Sequence, residues 1–134
     1  KAAKWIKSGK IFLYAADQDY GLTVSEMVPF FGHQAATVTF PALFCKRNIK
    51  IIFADVSNIK GTYEIELKEM HSSQNRYDFL KEMNDLYKDF ILKEPEGYLW
   101  MHRRFKSGLH ETIYPKWSSR DKKREKRRLK RQEY

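Results

Sequence analysis

Between Tyr77 and Lys93 apolar side chains recur with the period of a helix: Phe79, Met83, Leu86, Tyr87, Phe90 and Ile91. That spacing gathers them on one stripe, with charged residues on the opposite face. A single helix cannot bury its own stripe, so the chain must supply another surface. Pro95 ends the helical pattern, because proline lacks the backbone N–H and clashes with the preceding turn. Two short apolar runs can supply the second surface. Ile11-Phe-Leu-Tyr-Ala-Ala16 and Ile49-Lys-Ile-Ile-Phe-Ala-Asp55 both have strand length and read as strands covered on both faces. Asn58-Ile-Lys-Gly61 reads as a turn. Thr62 to Leu67 then alternates strictly, with Tyr63, Ile65 and Leu67 on one face and Glu64 and Glu66 on the other. This is the pattern of a half-exposed edge strand.

The remaining segments fill in the architecture. Residues 1–8 look like the end of a basic helix, with Gly9 where helices stop. Val28-Pro-Phe-Phe-Gly32 is an apolar punctuation mark. From Gln34 to about Lys46 the pattern predicts a helix burying Ala35, Val38 and Leu43, kinked or started late by Pro41. Tyr98 to Phe105 is a short aromatic segment, in which Trp100 is expected to be buried. Ser118-Ser-Arg-Asp121 resembles a capping box opening a charged terminal helix. Strands alternating with helices predict an α/β fold: a layered sheet flanked by helices, followed by a basic helical tail. Residues 1–117 form the body and 118–134 the tail.

Charge and cysteine content narrow the function classes. The net charge is +9 over 134 residues, but Arg120–Tyr134 alone holds nine Lys/Arg against three acids. The body is therefore nearly balanced, and the basic signal belongs to the tail. The tail has three readings: a solvated helix, a contact for an anionic membrane surface or an acidic protein, or a nucleic-acid contact. Its only apolar residues are Leu129 and Tyr134, so any membrane contact is expected to be electrostatic. A basic nucleic-acid-binding module is the competing reading of the whole chain. The near-neutral body and the lack of an RNP-like aromatic motif count against it. Cys45 is the single cysteine, which excludes an internal disulfide framework. It reads as a small buried apolar group. The scattered histidines give metal binding no support. No apolar run approaches the ~20 residues of a spanning helix. The chain opens Lys-Ala-Ala-Lys-Trp-Ile-Lys without a methionine. We expect it to be the C-terminal part of a longer protein.

The polar loop Asp17-Gln-Asp-Tyr-Gly21 follows the first apolar run directly. An acid at the carboxyl end of a buried strand faces the crevice where α/β proteins bind ligands. Gln18 and Asp19 add donors and acceptors suited to sugar hydroxyls. The bland reading is a solvated turn. Arg103 and Arg104 are adjacent and cannot point the same way on a helix. One is expected in a buried ion pair, and the other could face a phosphate. His102, among Trp100, Met101 and Phe105, reads as a packing residue. Phe30 and Phe31 read as core, or as the lining of an acyl groove.

Three stretches in order resemble one family. They are Ala16-Asp-Gln-Asp-Tyr-Gly21, Val28-Pro-Phe-Phe-Gly-His-Gln-Ala-Ala-Thr37, and Glu94-Pro-Glu-Gly-Tyr-Leu-Trp-Met-His-Arg-Arg-Phe-Lys106. Together they are similar to the late acyltransferases of lipid A biosynthesis, within the lysophospholipid acyltransferase superfamily. The resemblance covers roughly residues 9–106. It implies an enzyme on the cytoplasmic face of a Gram-negative inner membrane. That enzyme moves a fatty acyl chain from an acyl carrier protein thioester to a hydroxyl of a lipid A precursor, with no further cofactor. The implied partners are acyl carrier protein, the lipid A precursor and an anionic membrane surface, and not nucleic acid. In the superfamily a His-x4-Asp/Glu pair supplies the base and its orienting acid. Five positions after His33, His71, His102 and His110 stand Val38, Arg76, Ser107 and Pro115, so no such pair lies in this chain. We expect the chain alone to be inactive. The resemblance places Asp17 at the acceptor-binding acid, with Gln18, Asp19, Arg103 and Arg104 as further substrate contacts. The family's pattern has a proline where this chain has Ala16.

Overall fold

The computed structural model describes residues 2–45, 49–71 and 75–108. The tail and its expected capping box lie outside the described residues, as does the boundary at 117. The elements run α1 (Ala2–Lys7), β1 (Ser25–Phe30), β2 (His33–Val38), β3 (Ile52–Ile59), β4 (Thr62–Glu69) and α2 (Arg76–Lys93), with short 3₁₀ turns at Pro41–Phe44 and Pro95–Gly97. The fold is mixed α/β: two antiparallel hairpins, β1–β2 and β3–β4, packed against α2.

α2 forms where the periodicity predicts it. Asn75 caps it, its Oδ1 accepting the Tyr77 N–H at 2.9 Å, which satisfies one orphan donor of the first turn. Asp78 in the first turn and Lys93 in the last complement the helix dipole. Phe79 and Leu80 are fully buried, and Met83, Leu86, Phe90 and Ile91 nearly so. Against this stripe β1 and β2 lay Val28, Phe30 and Ala35. On the other hairpin Phe53 stacks on Phe90 at 5.2 Å and meets the Tyr87 ring edge-on at 4.7 Å.

The segment expected as a helix from Gln34 is instead β2 followed by the 3₁₀ turn. The reason is the turn before it. Phe31 and Gly32 both have positive φ, 49° and 78°, the conformation of a two-residue hairpin turn whose twist matches its strands. Val28-Pro-Phe therefore pairs back on His33–Val38, with Val28 opposite Ala35 and Glu26 opposite Thr37. Pro41 opens the 3₁₀ turn, where its missing N–H costs nothing. Lys60-Gly61 repeats the same turn, φ 51° and 86°, in the position the sequence predicts.

Two strand expectations need correction. Ile11–Ala16 takes no regular secondary structure and finds no partner strand among the described residues, and Ile11 and Leu13 are 94% and 88% exposed. Ile49–Asp55 does contribute to a strand, but Phe53 is the one side chain of Ile52–Asp55 that is buried. The alternation of β4 has the expected period, yet Tyr63, Ile65 and Leu67 face outward with Ile52 and Val56. One helix covers one face of a hairpin, and nothing among the described residues covers the other. Trp100 is also 54% exposed rather than buried, held by its indole N–H donating to the Pro95 carbonyl at 2.6 Å. Among the described residues no helix is long and apolar enough to cross a membrane.

Candidate functional site

The Asp17–Gly21 loop lies against the segment from His102 to Ser107, more than eighty residues away in sequence. Two side-chain ties join them. Asp19, 7% exposed, accepts three hydrogen bonds. Its Oδ1 takes the Gly21 N–H at 2.8 Å and the Ser107 hydroxyl at 2.9 Å, and its Oδ2 takes the Ser107 N–H at 2.9 Å. The Gln18 amide meets His102 Nε2 at 3.3 Å. Either group can donate across that contact, depending on the imidazole tautomer and the amide orientation.

Asp17 differs from its neighbours. Its carboxylate is half-buried and has no hydrogen bond among the described residues. Its charge is nonetheless felt by Tyr87 and Arg104. Burial pushes the Tyr87 phenol up to about 12, and Asp17 reinforces this, while a backbone hydrogen bond from Ala16 works against it. An unfolded tyrosine titrates at about 10. Below that pH the phenol is neutral in both states, so nothing is gained or lost. Between pH 10 and 12 the unfolded chain releases its proton more readily. Stability should therefore fall as pH rises through this window, by roughly 2–3 kcal/mol at its top. An ultraviolet titration should show one phenol ionising near 12, and Tyr87→Phe should remove that step.

Beneath the loop lies a buried polar brace. Arg104 is 3% exposed. Its guanidinium donates to the Ala36 carbonyl at 2.7 Å, to Thr37 Oγ1 at 2.9 Å and to Asn84 Oδ1 at 3.1 Å. Asn84 Nδ2 donates to Thr37 Oγ1 at 2.9 Å and to the Pro29 carbonyl at 3.0 Å. Thr37 in turn donates to the Ala35 carbonyl at 3.2 Å. The guanidinium also lies 5.0 Å from the centre of the Phe30 ring, a cation–π distance. Burial pulls the Arg104 pKa down from its ordinary value, and Tyr98, Asp19, Asp17 and Tyr87 pull it back up. Arg104 is the buried arginine, and the hydrogen-bond partners it takes among the described residues are neutral rather than an acid. Arg103 is half-exposed beside it.

Of the five expected site residues, the structure thus brings four, Asp17, Gln18, Asp19 and Arg104, around one loop. Asp19 and Arg104 spend their polar atoms on the protein itself. Thr37, on β2, is the hub of the brace. The sequence reading missed Asn84 and Ser107. Asn84 carried a signal: it stands four residues after Leu80 and seven before Ile91, a lone amide on the buried face of a helix. Buried amides require partners. Ser107 carried none.

Other features of the surface have simpler readings. His71 Nδ1 meets Glu82 Oε1 at 2.9 Å, but this His side chain is 86% exposed, as in a surface contact. Burial pushes the Cys45 thiol pKa up, away from nucleophile chemistry. A cleft of about 630 Å³ lies between β3–β4 and the end of α2, lined by Asp55, Lys60, Glu64, Phe90 and Lys93 among others; none of the five expected residues lines it. Among the described residues no group of His, Cys, Asp and Glu could hold a metal ion.

Comparison with known sequences bears on the same region. The pattern defining the family described as bacterial lipid A biosynthesis acyltransferase matches residues 1–107. Over 111 residues the chain is 32% identical to the lipid A biosynthesis lauroyltransferase of Escherichia coli K12, covering 78% of this chain and 36% of that protein. It is 29% identical to the palmitoleoyltransferase of the same organism over 110 residues, 76% and 35% of the two chains. It is 30% identical to a lipid A biosynthesis acyltransferase of Haemophilus influenzae over 112 residues, 78% and 36%. The chain therefore spans about a third of the length of these relatives.

Proposed function

This chain belongs to the bacterial lipid A biosynthesis acyltransferase family, and from that membership we propose that it is the acceptor-side part of an enzyme acylating a lipid A precursor. The family match across residues 1–107 carries the proposal. The acyl donor is an acyl carrier protein thioester, and no other cofactor is needed. A hydroxyl of the precursor attacks the thioester carbonyl. An ester bond forms, the C–S bond breaks, and the hydroxyl proton leaves for a base while the thiol departs. Asp17 receives the acceptor, accepting hydrogen bonds from sugar hydroxyls. It is the member of its loop whose carboxylate has no hydrogen bond among the described residues. Gln18 follows it in the loop, and half-exposed Arg103 is a further substrate contact. Asp19 and Arg104 support the loop from within.

The site operates at the cytoplasmic face of the inner membrane. The basic tail adds attraction to anionic headgroups or to acidic acyl carrier protein, each Lys or Arg contributing ~1 kcal/mol near a charged surface. The general base comes from outside these 134 residues, since no His-x4-Asp/Glu pair lies within them. A positioned base is worth about 10²–10⁴-fold in rate. The test compares the protein from the complete reading frame with this chain alone. Acyl carrier protein thioester and a lipid A precursor are supplied to both. We expect ester formation by the first and none by the second. Turnover by the isolated chain would place the base within it. No turnover by the complete protein, with either lipid or another acceptor, would sink the acyltransferase reading.

A further inference from the structure

The structure assigns Ser107 a role that its position in the sequence does not suggest: with Asp19 it forms a clamp that sets the position of Asp17. This rests on the reading of Asp17 as the acceptor contact. The clamp is specific in its chemistry. Both oxygens of the buried Asp19 carboxylate are occupied by Ser107, one by its hydroxyl and one by its backbone N–H, each at 2.9 Å. The Gly21 N–H closes the loop on the same carboxylate at 2.8 Å. Asp17 is two residues from that anchor. The stretch before it, Ile11–Leu13, has no strand partner among the described residues. The loop is nonetheless held on both sides of Asp17: by Ala16, buried in the core and hydrogen-bonded through its backbone to Tyr87, and by Asp19 with the Gln18–His102 contact.

Ser107 in turn sits on a segment that cannot drift. Three residues earlier Arg104 is locked into the buried brace. One residue later Gly108 passes so close to β2 that a Cβ there would lie 2.7 Å from the Gln34 carbonyl oxygen. A rigid segment therefore presents two donors at a fixed spacing to one carboxylate, the geometry in which charge-assisted hydrogen bonds are strongest. Small displacements of a substrate-orienting group cost rate out of proportion to their size. Ser107 is accordingly a positioning residue, acting through Asp19 on Asp17.

The experiment uses the protein from the complete reading frame, varying lipid A precursor and acyl carrier protein thioester separately. Ser107→Ala deletes the hydroxyl and leaves the backbone donor. We expect kcat/KM for the acceptor to fall about tenfold, the KM for the donor thioester to stay unchanged, and Tm to move by only a few degrees. Ser107→Thr retains the hydroxyl and should recover acceptor kinetics to within about twofold of wild type. Wild-type acceptor kinetics in Ser107→Ala would overturn the clamp. So would a fall in the kinetics of both substrates in step with Tm that threonine does not repair, because that pattern belongs to fold support alone. An inactive wild-type protein would overturn the acyltransferase reading itself, and the clamp with it. Asp17→Asn in the same assay separates the two: if it is impaired and Ser107→Ala is not, the acceptor site stands and the clamp fails.

Discussion

Replacing Arg104 with alanine should destabilise the fold by about 3 kcal/mol or more. The side chain is 3% exposed and donates three hydrogen bonds within the core. Its removal strips the Asn84 Oδ1 and the Ala36 carbonyl of a donor in a place water does not reach. Each such orphan costs about 1–3 kcal/mol. The vacated volume and the lost contact with Phe30 add to that. Arg104→Lys should fall between, because one ammonium cannot reproduce the fork that spans β2 and α2 together. Urea unfolding of the three proteins gives the measurement: midpoints should fall in the order wild type, lysine, alanine, with similar slopes. If Arg104 instead served chiefly to hold a phosphate, the midpoints would coincide and only acceptor KM would rise.

How far such a brace could be read from sequence differs from residue to residue. α2 was legible because six apolar side chains repeat its period, and tertiary packing agrees with that local pattern. The Asn58–Gly61 turn was legible through its glycine and its asparagine, whose Oδ1 accepts the Gly61 N–H at 2.9 Å. The β1–β2 hairpin was not. Phe31 is a poor candidate for positive φ, Pro29 sits inside a strand, and Ala35-Ala36 favours a helix on propensity alone. Tertiary context overrides all three: Thr37 of β2 is tied to Asn84 of α2 and to Arg104, and Ala35 packs in one cluster with Ile91. The Asp17–Gly21 loop was legible as a candidate site from its position after an apolar run. The division of labour within it was not. Whether a carboxylate faces a ligand or a serine 88 residues away depends on contacts that no local pattern encodes. Trp100 shows the same limit in reverse: its aromatic neighbours suggest burial, while its indole rests half-exposed on a turn.

Asp17→Asn should give the largest loss of activity obtainable without loss of fold. The substitution keeps the size and one acceptor oxygen but removes the charge. Hydrogen bonds to a charged group contribute about 1.5–3 kcal/mol, so kcat/KM for the lipid acceptor should drop by roughly ten- to a hundredfold. The fold should tolerate the change because the Asp17 carboxylate makes no hydrogen bond to the described residues, unlike Asp19 with three. Tm should stay close to wild type. Phe79→Ala serves as the contrast. Phe79 is fully buried on α2, and truncating such a side chain costs about 3–5 kcal/mol, so it should lower Tm and activity together. Two outcomes would defeat the assignment of Asp17. Full activity in Asp17→Asn makes the loop a turn and nothing more. A melting temperature lowered as far as that of Phe79→Ala makes Asp17 a structural residue, and the acceptor must then be held elsewhere, with half-exposed Arg103 the next group to test.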